Sequence, residues 1–383
     1  MKGFKINLDN TEMILEVDST FKLAKMLNKY GAKKILLLYG MGSIKRNGLY
    51  KKVSNILIEN AIDFVSFGGI KANPILKTVN KAVEFAKKEN VDFILAVGGG
   101  SVIDSAKAIA ANFIEGGDVW DYYIGKRIAR SALPIGVILT IPATGSESNP
   151  YSVLSNDIDK KSASSKAFLP KFSLLDPVNT YSLALNQTAY GLIDIFVHVA
   201  EQYFVNEDGG VLRDYFCESV FKTVIKIAKP LLNNPKSEEL RMESFWAGNI
   251  ALSRFLMKGI KSSGDWATHS IEHQFSAIND MPHGAGLAIV FPAWLEIVAQ
   301  KEPEKVLKFS KNIFNVDSVQ DGIIKLRSFF ESLNVPTYLL NDSIKSDDIK
   351  KIVDNSVRNE YLGDYVKLSK SDIESIVKIS LKL

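Results

Sequence analysis

The sequence predicts an α/β domain with a parallel, Rossmann-like sheet over residues 1–186, joined to an all-helical domain over 187–383. Three observations carry that reading. In the first half, short apolar runs that stop at glycine alternate with segments of helical spacing. After about residue 186 only helical spacing continues. Between the two textures, Pro, Asn, Thr and Ser gather from Asp176-Pro177 to Asn186-Gln187. Apolar runs without polar alternation are strands buried on both faces, the mark of a parallel sheet covered by helices. A length of 383 residues agrees with two domains of ordinary size.

The first run is 34–39, and a helix follows over 46–60. Residues 63–67 read as the next strand. Asn73-Pro74 opens a helix that reaches residue 88, with Val79, Val83 and Phe85 marking its apolar face. Residues 92–97 form another buried strand, which ends in Gly98-Gly99-Gly100-Ser101 and runs into an alanine-rich helix; 135–140 repeat the strand pattern. Helical spacing then covers 187–206, 211–232, 238–257, 264–278, 284–299, 303–313, 318–333, 346–355 and 370–380. A cleft between two such domains is a favoured place for a ligand.

Composition narrows the function. Lys plus Arg is 47 and Asp plus Glu 43, a net charge of +4, too small an excess for a dedicated nucleic-acid binder. The lone Cys217 excludes an internal disulfide and fits a reducing compartment. The first seven residues carry no apolar leader, and no run of about 18 apolar residues occurs. The expectation is a cytoplasmic protein with neither membrane nor nucleic-acid partner.

Two glycine turns follow buried strands. Gly98-Gly99-Gly100-Ser101 precedes a helix that contains Asp104 and Lys107. Glycines admit positive φ and close backbone approach, and a helix start offers unpaired N–H groups to a diphosphate. The spacing is neither G-x-G-x-x-G nor a P-loop. The plain alternative is a tight turn with Ser101 as N-cap. The second turn, Tyr39-Gly40-Met41-Gly42-Ser43-Ile44-Lys45-Arg46, lacks the acidic residue that grips a ribose 2′-OH in many dinucleotide sites. Its small and basic residues suit a 2′-phosphate, which points to NADP(H) rather than NAD(H); the plain alternative is a solvated basic turn.

Only four histidines occur, and His269, His273 and His283 fall within fifteen residues. Asp194 and His198 are four apart, so on a helix they share one face, about 6 Å apart along the axis. His269 and His273 repeat that spacing, and His283 stands at a helix start. Carboxylate with imidazole suits iron, zinc and similar divalent metals better than calcium or magnesium. Asp194, His198, His269 and His283 could fill four positions, with His273 left free to hydrogen-bond.

At these residues the chain resembles the metal-dependent, iron-containing alcohol dehydrogenase family, in its NADPH-dependent butanol dehydrogenase and aldehyde reductase branch. The resemblance rests on the ordered set Tyr39 to Gly48, Gly98 to Lys107, Ala143 to Asn149, Leu175-Asp176-Pro177, Gly191 to His198, Asp265 to His273 and Pro282-His283-Gly284. It implies a dehydroquinate synthase-like fold whose helical domain binds the metal, and a homodimer. It further implies Asp194, His198, His269 and His283 as ligands of Fe2+ or Zn2+, and His273 as the second histidine beside the nicotinamide. Gly98, Gly99, Gly100 and Ser101, with Asp104, match the diphosphate loop. Thr140, Thr144 and Ser146 match positions lining nicotinamide and ribose, and Lys160 a lysine that reaches the ribose. Gly42, Ser43 and Arg46 match positions near the 2′-phosphate. Two departures stand out: Leu15 to Thr20 replaces a glycine-rich segment, and Met41 replaces a glycine.

The activity so implied is hydride transfer between NADP(H) and a small primary alcohol or aldehyde. Two rivals keep the fold: a glycerol dehydrogenase, and a lyase of the dehydroquinate synthase type. The lyase places glutamate among its ligands and binds a polyanion through extra Lys and Arg, which Asp194 and a third ligand histidine fit poorly.

Overall fold

A computed structural model describes residues 4–8, 11–156, 159–206, 209–252, 255–257, 260–339, 344–357 and 360–383. The chain separates into two compact units: Met1–Leu183 with Pro235–Asn249, and Ala184–Asn234 with Ile250–Leu383.

The first unit opens with β1 (Phe4–Leu8), β2 (Thr11–Leu15) and α1 (Leu23–Lys29). There follow β3 (Lys34–Gly40), α2 (Ser43–Arg46), α3 (Leu49–Glu59), β4 (Asp63–Ile70), α4 (Leu76–Glu89), β5 (Phe93–Gly98) and α5 (Gly100–Glu115). It closes with β6 (Ile135–Leu139), the hairpin β7 (Tyr151–Ser155) and β8 (Lys160–Ser164), and β9 (Phe172–Leu175). One sheet runs in the order β1-β2-β9-β6-β5-β3-β4. The strands from β2 to β4 are parallel, and β1 alone pairs antiparallel, on β2. The parallel sheet agrees with the sequence reading, which contains four of its six parallel strands, β3 to β6, and lacks β2 and β9; the helix expected over 46–60 is α3, which starts after Gly48, whose φ is +85°.

Both sheet faces are covered. Leu27, Val53 and Leu57 of α1 and α3 pack with Ile35, Leu37 and Leu95 on one side. Val79, Val83, Ile103 and Ala106 of α4 and α5 pack with Leu36, Leu38 and Ile94 on the other. The chain therefore leaves β3 toward one face and β5 toward the opposite face, although the two strands are neighbours. That is a topological switch point, and the crevice beyond the strand ends there is where open α/β sheets bind ligands. The turns at Gly40–Ser43 and Gly98–Ser101 both border it.

The second unit holds α6 (Leu185–Tyr203), α7 (Val211–Asn233), α9 (Ala267–Asn279), α10 (His283–Lys301), α11 (Pro303–Phe314), α12 (Val319–Glu331), α13 (Ser346–Ser356) and α14 (Lys370–Leu381). Phe196 of α6 anchors its core, with its ring 4.6 Å from that of Phe221 and 5.8 Å from those of Phe329 and Phe330. None of the helices among the described residues is long and apolar enough to cross a membrane.

Most of α8 (Glu238–Ala251) departs from a single cut at 186/187, because residues 235–249 belong with the sheet unit. Met242 and Phe245 of this helix join the hydrophobic core that includes α4 and α5, and Asn249 Nδ2 donates to Ser148 Oγ (2.8 Å) and Glu147 Oε1 (3.2 Å). The helix expected over 238–257 stops at Ala251, and residues 253 and 254 lie outside the described ones.

Candidate active site

In the sheet unit the glycine turn is shaped by packing. A Cβ on Gly98 would lie 2.5 Å from Val102 Cγ2, one on Gly99 2.4 Å from Ile141 Cγ2, and one on Gly100 2.5 Å from Thr144 Oγ1. None of the three has positive φ, so close approach and not a left-handed backbone is what requires glycine here. The N-cap of α5 is Gly99; Ser101 lies inside the helix and donates to the Ala72 carbonyl, so the N-cap alternative for Ser101 does not hold. With no side-chain cap, the first N–H groups of α5 stay available to an anion.

Behind this turn lies a buried polar network. Lys107, with no exposed surface, donates from Nζ to Ser146 Oγ (2.7 Å), the Asn149 carbonyl (3.0 Å) and the Tyr151 carbonyl (2.6 Å). Ser146 Oγ donates to Asp104 Oδ1 (2.6 Å), and Val153 N–H donates to Asp104 Oδ2 (3.0 Å). Burial pulls the Lys107 amine down to about 8 and pushes the Asp104 carboxyl up. Asp104 and Ser146 thus brace the 144–151 loop from within. Thr140 and Thr144 remain half-exposed, with Thr140 N–H donating to the Gly98 carbonyl (3.1 Å). Lys160 is buried, whereas its neighbour Lys161 pairs with Asp159 at 2.5 Å.

At the other turn, Gly42 has φ +98° and caps α2, and Ser43 and Arg46 are exposed. Lys45 Nζ sits 5.0 Å from the ring centres of both Tyr39 and Tyr50.

In the helical unit the four histidines and Asp194 come together. On α6, Asp194 and His198 share a buried face, as their spacing requires. The approach to α9 is built on the same helix: Asp265 N–H donates to the Glu201 carbonyl (2.7 Å), and the Asp265 carboxylate accepts from the N–H groups of Ala267, Asp364 and Tyr365. A side chain on Gly264 would strike that Glu201 carbonyl at 2.8 Å. His283 begins α10 behind Pro282, and Gly284 lets it sit against the backbone of Tyr190.

Asp194 Oδ1 is the centre of the set. It lies 3.3 Å from His198 Nδ1, 3.8 Å from His269 Nε2 and 3.6 Å from His283 Nε2. Asp194 Oδ1, His198 Nδ1 and His269 Nε2 are all buried without a hydrogen-bond partner. Buried polar atoms are almost always paired, and three orphans converging on one point fit a divalent cation with nitrogen and oxygen donors. Burial pushes the Asp194 carboxyl up, but His198, His283 and His269 outweigh it and hold it near 2. Burial pulls His198 down to about 3 and so keeps it in the neutral, metal-binding form. His273 stands aside, its ring 6.4 Å from that of His269 and 5.6 Å from that of His283.

The sequence pattern described as "Iron-containing alcohol dehydrogenase" matches residues 10–177, and that of the "Fe-containing alcohol dehydrogenase family, C-terminal" matches 188–381. The chain is 41% identical over 381 residues to "Probable NADH-dependent butanol dehydrogenase 1" of Bacillus subtilis, covering 97% of this chain and 98% of that one. The chain belongs to the iron-containing alcohol dehydrogenase family. It is 36% identical over 331 residues to the NADPH-dependent aldehyde reductase YqhD of Escherichia coli, covering 84% of each. Among solved structures it is similar to NADH-dependent butanol dehydrogenase A of Thermotoga maritima, with TM-score 0.92 and 38% identity over 100% of this chain and 99% of the other. Family members of this kind are NAD(P)-dependent, metal-dependent oxidoreductases of alcohols and aldehydes.

Two buried carboxylates at the site of this iron-containing alcohol dehydrogenase escaped the sequence reading. Glu201 accepts from His269 at both Nδ1 (3.1 Å) and the backbone N–H (2.9 Å), and Glu272 accepts from His283 Nδ1. A signal existed: Asp194, His198 and Glu201 stand at i, i+4 and i+7, one helical face in an otherwise apolar stretch.

Proposed function

We propose that this chain transfers hydride between NADP(H) and a small primary alcohol or aldehyde, with Fe2+ or Zn2+ held by Asp194, His198, His269 and His283. The observation that carries the reading is the convergence of two orphaned buried imidazole nitrogens, His198 Nδ1 and His269 Nε2, on the equally orphaned Asp194 Oδ1. When bound, the cation supplies Lewis acidity toward the substrate oxygen. The N-terminus of α5 and residues Gly98 to Ser101 receive the dinucleotide diphosphate, while Thr140 and Thr144 line its nicotinamide half. Asp104, Ser146 and Lys107 hold the 144–151 loop in place, and Lys160 reaches the ribose from β8. His273, half-buried beside His283, takes or returns the proton of the substrate oxygen through its imidazole.

The choice of NADP(H) over NAD(H) rests on Gly42, Ser43 and Arg46. The turn carries no acid to repel a 2′-phosphate, and Arg46 is free to pair with one bidentately. The Bacillus relative is named for NADH and the Escherichia relative for NADPH, so the proposed preference rests on the turn alone. The lone, buried Cys217 supports a reducing, cytoplasmic setting, and the assembly proposed is a homodimer, which light scattering checks. The test of function is steady-state turnover of iron- and zinc-reconstituted protein with NADPH and NADH, on aldehydes of two to six carbons and on glycerol. Metal-dependent reduction of aldehydes is expected; metal-free turnover, or activity confined to glycerol, overturns the reading.

A further inference from the structure

The helices of the metal centre repeat a pattern. On α6, His198 is followed three residues later by Glu201, which holds not its own helix's histidine but His269 on α9. On α9, His269 is followed three residues later by Glu272, which holds His283 on α10. Each of these two helices thus carries a ligand and, on the same face, the carboxylate that grips the ligand of another helix of the site. Glu201 is 1% exposed and Glu272 is fully buried. Buried carboxylates are costly unless something charged or hydrogen-bonded requires them. Room has been made for the second one: a Cβ on Gly286 would lie 2.8 Å from Glu272 Cγ, so only glycine lets α10 pass over it.

We infer that Glu201 and Glu272 are positioning residues that set the cation affinity of the site by fixing the ring orientation of His269 and His283. The inference rests on the metal reading above. A carboxylate offers only acceptors, so the ring nitrogen facing it must be the protonated one. In both rings that nitrogen is Nδ1. The remaining nitrogen, Nε2, is the one that faces Asp194 Oδ1, at 3.8 Å from His269 and 3.6 Å from His283. The carboxylates therefore choose the tautomer that leaves an Nε2 lone pair toward the cation, and their charge makes each imidazole a stronger donor. Glu201 has a second task, because the same Oε1 that holds the ring also accepts the backbone N–H of His269 and fixes the first turn of α9.

The experiment compares the full-length chain with Glu201→Gln and Glu272→Gln. The dissociation constants for Zn2+ and Fe2+ are measured by chelator competition, and the metal-free proteins are compared by thermal unfolding. Each variant is expected to bind the cation about 10–100-fold more weakly, the usual effect of losing such an outer partner, with the metal-free melting temperature little changed. Nitrogen-15 NMR of the histidines in the Zn2+-loaded protein gives an independent readout: His269 and His283 protonated at Nδ1 in wild type, with the signal of one of them altered in each variant. Unchanged cation affinity in both variants, with wild type binding tightly, overturns this inference and leaves the metal reading intact. Wild type that takes up no transition-metal ion overturns the metal reading and this inference together. Should Glu201→Gln not fold, Glu201→Asp keeps the charge but withdraws it from Nδ1, and undiminished affinity there counts equally against the inference.

Discussion

Gly100 and Thr144 interlock: a Cβ on the glycine would lie 2.5 Å from Thr144 Oγ1 and 2.8 Å from its Cγ2. The first turn of α5 and the loop that lines the nicotinamide half of the proposed site are therefore held at a separation that admits no methyl group. Thr144 is β-branched and cannot swing away cheaply. Gly100→Ala is expected to displace the 144–151 loop at a cost of about 1–3 kcal/mol, the range for overpacking. The KM for the nicotinamide cofactor should rise roughly tenfold or more, since about 1.4 kcal/mol is a factor of ten, while metal content stays at the wild-type level. Unaltered cofactor KM would show that the loop does not line the site.

The five residues of the helical cluster should divide in a mutational series. His269→Ala and His283→Ala are expected to lose metal and activity together, because each removes a nitrogen that faces Asp194 Oδ1. His273→Ala should keep its metal, since its ring stands aside from the convergent set. Its turnover should fall by about 10²–10⁴-fold with a changed pH profile, the usual worth of a general acid–base group. Metal analysis with kcat across pH 6–9 checks both halves. Metal loss in the His273 variant would reverse the assignment.

Cofactor choice should follow charge at the α2 turn. Arg46 is exposed beside Gly42 and Ser43, and nothing acidic lies between Tyr39 and Asn47. Arg46→Glu is expected to lower kcat/KM for NADPH by tenfold or more, about 1.4 kcal/mol, by replacing a pairing charge with a repelling one. The value for NADH should change little. Equal losses with both cofactors would show that Arg46 does not meet the 2′-phosphate.

Lys107 should be a structural requirement with a pH signature. Its ammonium satisfies Ser146, Asn149 and Tyr151 in the interior, and Lys107→Met would leave all three acceptors buried and short of a donor. Breaking a buried charged network costs about 3–5 kcal/mol, so thermal unfolding should move down by on the order of 10 °C. The pH dependence has a definite sign. Burial lowers the folded-state value to about 8 from 10.5, so between those values the unfolded chain holds more protons. Stability contributed by this group then rises with pH across that window. The deficit of the Met variant relative to wild type should widen from pH 8 to pH 10, and a deficit that narrows would contradict it.

The parallel sheet, the helical second half and the grouping of Asp194 with the histidines were legible in the sequence. Each rests on a local period: buried runs such as 34–39 and 92–97 have no exposed face to alternate with, and residues four apart on α6 and α9 must share a side. What it missed depended on distant partners. β9 is four residues long, and what makes it a strand is pairing with β2 and β6, more than thirty residues away in the chain. Residues 235–249 have ordinary helical spacing, yet Met242, Phe245 and Asn249 place them with the sheet unit. The Gly98-Gly99-Gly100 run was legible as a special turn, but only the tertiary structure shows that Val102, Ile141 and Thr144 are what demand glycine. Glu201 and Glu272 look in sequence like isolated helix acids. The histidines they hold lie on other helices, 68 and 11 residues onward, and no local period carries that relation. Spacing specifies which residues share a helix face; which faces meet is decided by packing across the whole chain.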